Sequence, residues 1–511
     1  GHLHQISLDD EVISDIERDR LHREIYRTQG KLASRYELDP LGRLKRQIAT
    51  LNDLTEGGKG KTKVAAGYSQ TAVKRSYGYD RTGNLTHSTD QRTSTTHFEY
   101  DKLGRITKAG NERFAFDPAH NILSDNNSPT VPDNRLKTYN GSSYYYDHFG
   151  NLIHRELANG EVQNYFYDLH DQLVKAEIFK KDGTKETWAY TYDALGRRIG
   201  KGRLKNEEAS DGLEEETGFV WDGSHLLQEV QPDGRYTYLY TDPDSYEPLA
   251  QVRNHTNAEG ESKQEIHYFH CDQIGIPREM TDDEGNLVWF GNYTGWGRLK
   301  EETKVTDSAY QPFRLQNQYA DRETGLHYNF FRYYEPDVGR FINQDPIRLW
   351  GGNNFYQFAP NVQGWVDIFG LYNAQKCASI AARIENLKYE IYVKRIPALE
   401  SNPNNLPWRI GPGEALRDTV RGHVKLLNAA YSKLAKAEKE WVDNDCDKPP
   451  PPSSPVTKCT NCSTEDKTST NNDALTAIAL VGTVVLVSVC IYSTAGVCGA
   501  FVAGGSFVGA M

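Results

Sequence analysis

A chain of 511 residues exceeds what one hydrophobic core usually supports, so two or more units, or one repetitive unit with an appendage, are expected. Its 31 tyrosines and 43 glycines, with Val, Thr and Tyr in short alternating runs, favour strands and turns over helices for the bulk. The net charge of −11 is uneven: 44 Lys+Arg stand against 57 Asp+Glu up to residue 371, and 15 against 13 after it, which argues against nucleic acid as a partner of the large acidic part. Only Cys271 of seven cysteines lies in that part, so no disulfide framework holds it. The chain starts at Gly1 and its only methionines are Met280 and Met511, as expected of a fragment from inside a longer protein, in which no signal peptide can be read.

In chain order, one short theme repeats: an aromatic run closing on Asp, a turn usually holding Gly, then an apolar residue. It appears as RYELDPLGRL from Arg35, YGYDRTGNL from Tyr77, FEYDKLGRI from Phe98, FAFDPAHNI from Phe114, YYYDHFGNL from Tyr144, YFYDLHDQL from Tyr165 and YTYDALGRRI from Tyr190. Each copy reads as a β-hairpin with one aromatic inward and one outward, Asp opening the turn and Gly supplying a positive φ. The Asp-to-Asp steps run from 16 to 41 residues, several near 20, which is the period of one hairpin per repeat in a growing sheet.

With its Tyr-Asp pairs at Tyr79-Asp80, Tyr100-Asp101, Tyr146-Asp147, Tyr167-Asp168 and Tyr192-Asp193, the chain resembles the Rhs/YD-repeat family. The resemblance implies a mainly β fold for residues 1–265, hairpins in a sheet that spirals into a hollow shell, or cocoon. The aspartates themselves are expected to form turns. Residues 266–300 resemble the family's late repeats; His267, His270 and Cys271 fall there on an alternating strand with no second ligand cluster, and neither a metal nor a cofactor is predicted.

Residues 311–371, from QPFRLQNQYADRETGLHYNFFRYYEPDVGRFINQDPI to NNFYQFAPNVQGWVDIFGL, resemble the Rhs-associated core, so 266–371 is expected to carry it. In relatives this core cuts the peptide bond after its terminal Gly-Leu with two aspartates and a supporting arginine. Carried over by position, these are Asp345, Asp367 and Arg332, and the scissile bond is Leu371–Tyr372. Two close carboxylates share one proton, so one activates water while the other polarises the carbonyl. Because the substrate is the chain's own tail, proximity replaces binding, and this aspartic-type endopeptidase turns over once. This copy departs from the family at Ile368, where relatives carry Pro, and at Arg348, where they carry Gly; the second matters if that turn needs a positive φ.

After Leu371 the periodicity turns helical. Ile380, Ile384, Leu387 and Ile391, then Leu416, Val420, Val424, Leu427, Tyr431, Leu434, Glu438 and Trp441, recur at steps of 3 or 4, predicting a helical hairpin over about 374–396 and 413–444 within a variable region 372–446. Arg417, Asp418, Arg421 and His423 read as a solvated face rather than a phosphodiester site. Residues 447–473 are a Pro/Ser/Thr-rich linker, whose lone Cys459-Thr-Asn-Cys462 favours a disulfide with or near Cys446 over zinc. The last 38 residues, Ala474–Met511, hold no charged side chain. Ala474–Tyr492 is long enough to span a bilayer, with Ser493–Met511 as a second pass or re-entrant turn.

The resemblance therefore implies the C-terminal part of a bacterial polymorphic toxin, whose shell encloses and releases a C-terminal effector; the uncharged tail makes a membrane-acting effector the first expectation. Implied partners are a cognate immunity protein, a secretion apparatus such as a type VI spike or adaptor, and the target-cell membrane. The protein would be made in the bacterial cytoplasm and delivered into target cells. Two alternatives stand beside this: a nuclease or other enzyme whose hydrophobic tail serves translocation, and a non-toxic cell-surface binding protein.

Overall fold

The computed structural model describes residues 3–51 and 71–371, apart from 9, 125–127, 206–211, 244, 258, 307–308 and 351, and then helical stretches within 380–396 and 420–442. Tyr372, Arg417, Asp418, Cys446, the linker and the uncharged tail lie outside the described residues, as do the side chains of Arg421, His423 and Trp441. The chain divides into two compact units, with the division at Ala378/Ser379.

The first unit is β throughout. A ten-stranded antiparallel sheet runs from Gln5–Leu8 to Glu112–Arg113, and a fifteen-stranded one from Thr138–Tyr139 to Leu299–Lys304, each strand pairing with its sequence neighbours. The change of sequence style at Ile266 is not a break in the sheet, because strand Ser262–Cys271 runs through it.

The repeated motif explains this order. In the turn from Asp101, Oδ1 accepts the N–H groups of Leu103 (2.9 Å) and Arg105 (3.0 Å), and Oδ2 accepts Arg105 Nε (2.6 Å). Asp39 with Arg43 and Asp193 with Arg197 repeat the arrangement. A side-chain acceptor thus satisfies the donors that a tight reversal leaves unpaired. The two degenerate copies place His120 (φ 67) and Asp171 (φ 58) at the left-handed position that glycine holds in the others.

A β-bulge precedes the Asp in every copy but the one at Asp117, between Tyr145/Tyr146, Phe166/Tyr167 and Thr191/Tyr192 among others. The bulge re-aims the tyrosine of the Tyr-Asp pair. Its hydroxyl then donates to the carbonyl of the apolar residue after an earlier turn: Tyr100 to Leu85 (2.9 Å), Tyr167 to Leu152 (2.8 Å), Tyr192 to Leu173 (2.8 Å). These repeats are locked to their predecessors.

The two sheets also meet. Buried Arg75 of the first ion-pairs with Glu279 (2.5 Å) and donates to the His270 and Cys271 carbonyls (3.2 and 3.1 Å) of the second. His267, His270 and Cys271 are buried here: His270 Nε2 lies 3.0 Å from Thr281 Oγ1, and Cys271 Sγ 3.6 Å from the Pro248 carbonyl. They are packing residues of this sheet.

Residues 309–371 lie against the buried face of the fifteen-stranded sheet. Arg198 and Lys201 pair with Asp321 (2.6 and 3.0 Å), Lys201 also with Glu323 (2.9 Å), and Arg155 with Glu335. Glu229 accepts the hydroxyls of Tyr238 (2.5 Å), Tyr310 (3.0 Å) and Tyr319 (3.0 Å). This segment builds its own four-stranded sheet, Tyr319–Asp321, Leu326–Asn329, Arg332–Glu335 and Arg340–Phe341.

The second unit holds helix Val420–Val442 and a wider-turned π-helical piece, Tyr389–Arg395, inside the first predicted helix. The predicted apolar periodicity buries Ile380, Ile384, Ile391, Leu427 and Leu434. Glu438, on the same face, is also buried; burial outweighs the attraction of Lys388 and pushes its carboxyl up to about 7. Among the described residues no helix is long and apolar enough to cross a membrane.

Candidate active site

The four-stranded sheet positions the predicted residues. Asn329, Phe330, Phe331 and Arg332 make the turn between two of its strands, with Asn329 opposite Arg332 in register. Phe330 sits there at φ 58, a strained conformation for a bulky side chain. Packing against Phe331, Phe369 and Trp221, with ring centroids 4.7, 5.5 and 5.6 Å away, holds it in place.

Arg332 is completely buried, its guanidinium stacked 3.6 Å from the centroid of Phe341. One nitrogen, Nη2, lies 3.1 Å from Asp345 Oδ2 and 3.6 Å from Asp367 Oδ2. Nη1 donates to the Phe355 carbonyl (3.0 Å), and Nε donates to the carbonyl of Gly370. The structure therefore brings Arg332, Asp345 and Asp367 together, with both carboxylates buried around a single cation.

Asp345 opens a turn: its Oδ1 accepts the Ile347 N–H (3.0 Å), and its carbonyl accepts the Arg348 N–H (2.9 Å). Burial raises its carboxyl above the ordinary range, against the opposing pull of Arg332 and that N–H. Arg348 stands at φ 54, so this turn does take the conformation that a glycine would hold freely. Asp367 Oδ1 accepts the N–H of Leu371 (3.0 Å). Leu371 is half-buried, and its bond to Tyr372 reaches out of the described residues.

The closing segment is gripped residue by residue. The carbonyls of Asp367, Ile368, Phe369 and Gly370 accept, respectively, Asn329 Nδ2 (2.8 Å), Asn317 Nδ2 (2.8 Å), the Phe331 N–H (3.3 Å) and Arg332 Nε. Gly370 takes φ 67, and a β-carbon there would lie 2.9 Å from the Asn329 carbonyl oxygen. Ile368 is buried, and its carbonyl is held by Asn317. The peptide unit Gly370–Leu371 is thus polarised at both ends, its C=O by Arg332 and its N–H by Asp367, just before the bond in question.

Sequence reasoning named the arginine and both aspartates but not Asn317, Asn329 or Phe341. A short Asn-Phe-Phe-Arg turn between two aromatic strands was a readable hairpin signal. Nothing in sequence spacing joins it to residues 367–371. Among the described residues no cluster of three or more metal-ligating side chains forms.

Comparison with known proteins places two family models on the chain: Teneurin YD-shell over residues 61–245 and RHS protein over residues 266–303. The chain is 40% identical over 393 residues to double-stranded DNA deaminase toxin A of Burkholderia cenocepacia, covering 73% of this chain and 27% of that protein. It is 31% identical over 423 residues to toxin protein Tse5 of Pseudomonas aeruginosa, covering 71% and 31%. To a probable deoxyribonuclease, RhsA, of Dickeya dadantii it is 28% identical over 402 residues, covering 75% and 26%. The chain spans about a quarter to a third of the length of these relatives.

Proposed function

Because the chain belongs to the RHS/YD-repeat family, we propose that its β unit is the carrier part of a secreted antibacterial toxin and that Arg332, Asp345 and Asp367 cut the Leu371–Tyr372 bond to free residues 372–511 as the effector. The observation that carries this reading is one buried guanidinium nitrogen within 3.1 and 3.6 Å of two buried carboxylates, on a segment whose last carbonyls are all held. Two carboxylates this close to one cation favour a single negative charge over two. Burial raises the Asp345 carboxyl, which favours it as the holder of the shared proton and Asp367 as the base.

Asp367 takes a proton from water as the water oxygen bonds to the Leu371 carbonyl carbon, and Asp345 gives its proton to the carbonyl oxygen. When the tetrahedral intermediate collapses, the C–N bond breaks and the amine of Tyr372 leaves with the proton Asp367 holds; Asp345 recovers its own as the Leu371 carboxyl forms. Arg332 holds the preceding carbonyl and the dyad in one geometry, so that the step is unimolecular.

Intact-mass and N-terminal sequencing test this. Wild-type chain is expected to yield a new terminus at Tyr372, while Asp345→Asn and Asp367→Asn stay whole. Cutting that persists in both variants, or a terminus at Leu371, overturns the assignment.

A carrier of this kind travels with a cognate immunity protein and a secretion apparatus, as its toxin-named relatives imply. For the effector, the 38 uncharged residues Ala474–Met511 favour action on membranes. The names of a DNA deaminase and deoxyribonucleases among the relatives favour an enzymatic effector instead. Those alignments leave a quarter or more of this chain uncovered, so the tail's own composition decides the first choice. Leakage of dye-loaded liposomes by residues 372–511 supports membrane action; DNA or RNA degradation without leakage replaces it with the enzyme.

A further inference from the structure

Asn329 lies between the dyad and the bond to be cut, and nothing in the family signature of two aspartates and an arginine assigns it a task. Its side chain is completely buried, in a unit where a half-used amide is costly. Nδ2 donates to the Asp367 carbonyl at 2.8 Å, while Oδ1 has no hydrogen-bond partner among the described residues. The orientation of the amide is fixed by that contact, since turning it over would set oxygen against oxygen. The same nitrogen lies 3.2 Å from where a β-carbon of residue 370 would stand, and the Asn329 carbonyl oxygen lies 2.9 Å from it. One residue therefore bonds Asp367 and leaves no room for a side chain at position 370.

At the start of the loop Asp367–Leu371, Asn329 is the side chain that holds the Asp367 carbonyl. Asp367 must present Oδ2 to Arg332 at 3.6 Å while Oδ1 stays on the Leu371 N–H at 3.0 Å, which fixes the carboxylate plane only if the Asp367 backbone does not turn. Asn329 is opposite Arg332 across the hairpin, so the donor that holds the Asp367 backbone and the cation that holds its carboxylate sit on one rigid two-strand element. Asn317 holds the next carbonyl, Ile368, at 2.8 Å from a separate, partly exposed position.

We propose that Asn329 is a positioning residue for self-cleavage: through Nδ2 it fixes the Asp367 backbone, and with it the carboxylate, against the bond after Leu371. This rests on the self-cleavage reading above. Losing the contact lets the base drift, and a misplacement on the scale of an ångström costs about 100-fold in rate. Asn317→Ala, which frees a carbonyl without touching Asp367, is expected to slow cutting far less.

The test follows cutting of the full chain by mass, first during cell-free synthesis and then on purified uncut protein shifted from about pH 8 to about pH 5. Asn329→Ala is expected to cut about 100-fold slower than wild type. Asn329→Asp is expected to be as slow at about pH 8, because a buried third carboxylate repels the dyad, and to recover as the pH falls, since a protonated Asp is near-isosteric with Asn and its O–H can donate to the Asp367 carbonyl. The readout is the ratio of the Asp to the Ala variant, which cancels the dyad's own titration. Melting of Asp345→Asn with and without Asn329→Ala reports on the fold. Acid recovery of the Asp variant alone supports the proposal. Wild-type speed in Asn329→Ala, a flat ratio across pH, or a collapse of the melting temperature without acid recovery overturns it. A wild-type chain that never cuts defeats the self-cleavage reading first, and the positioning role falls with it.

Discussion

Arg348 is where the site carries strain that a glycine would avoid. Its φ of 54 lies in the left-handed region, directly after the turn that Asp345 opens and whose Oδ1 accepts the Ile347 N–H at 3.0 Å. An ordinary side chain gives up about 1–2 kcal/mol there, of which glycine's larger unfolded-state entropy returns about 0.5–1. Arg348→Gly is therefore expected to raise stability by about 0.5–1 kcal/mol, measured by denaturant unfolding of an uncut Asp367→Asn chain, and to speed cutting. Arg348→Val, β-branched and worse at positive φ, is expected to do the reverse. If the glycine variant is no more stable than its parent, the turn is not the source of strain. The family pattern raised a positive φ at 348 only as a condition, and the structure meets it with φ 54. The strain at Phe330 was not legible in the sequence, because nothing in Asn-Phe-Phe-Arg announces that the first Phe takes φ 58.

Between elements, the hairpins were readable because Asp and Gly act locally, whereas a bulge before the Asp depends on the neighbouring strand. The hydroxyl of Tyr192 reaching Leu173 is a contact between repeats, and a repeat read alone shows only its aromatic ring. His270 belongs to the same scale. It lies between the two sheets beside Arg75 and Glu279, and burial first, then Arg75, Arg27 and Arg92, depresses its imidazole from 6.5 to about 3. The folded state thus keeps His270 neutral where the unfolded chain would bind a proton. Its contribution to stability is full above about pH 6.5 and is lost as the pH falls towards 3. Melting temperatures of the uncut chain should fall with acid over that window, and His270→Gln should flatten the slope. Equal slopes for the two would place the acid sensitivity elsewhere.

At the scale of the whole β unit, simple alternation misleads about which face is inside. Tyr145, Phe166, Val220 and Val230 are exposed, while Arg155, Gln163, Arg198, Lys201 and Glu229 are buried against residues 309–371. A reader of one strand puts the charges in water; their partners lie more than 80 residues further on, at Asp321, Glu335, Tyr310 and Tyr319. The site residues were found through the family resemblance and not from spacing, because Asp345 and Asp367 meet only through the fold of this segment around Arg332. Buried ion pairs join this segment to the sheet, and that makes a strong prediction. Asp321→Asn leaves Arg198 with no carboxylate, only the Tyr333 hydroxyl at 3.3 Å, whereas Lys201 keeps Glu323 at 2.9 Å. Breaking one side of a buried pair costs about 3–5 kcal/mol, so the loss should fall mainly on Arg198. Adding Arg198→Met should then recover much of it, since the unpaired charge is gone. Because strand Tyr319–Asp321 begins the sheet that carries Arg332, Asp321→Asn should also slow cutting, and the double variant should restore it. Glu37→Gln, at an exposed pair with Lys45, should change neither. If Asp321→Asn unfolds at the parent's denaturant midpoint, buried charge is not what docks the segment, and its aromatic packing must do so alone.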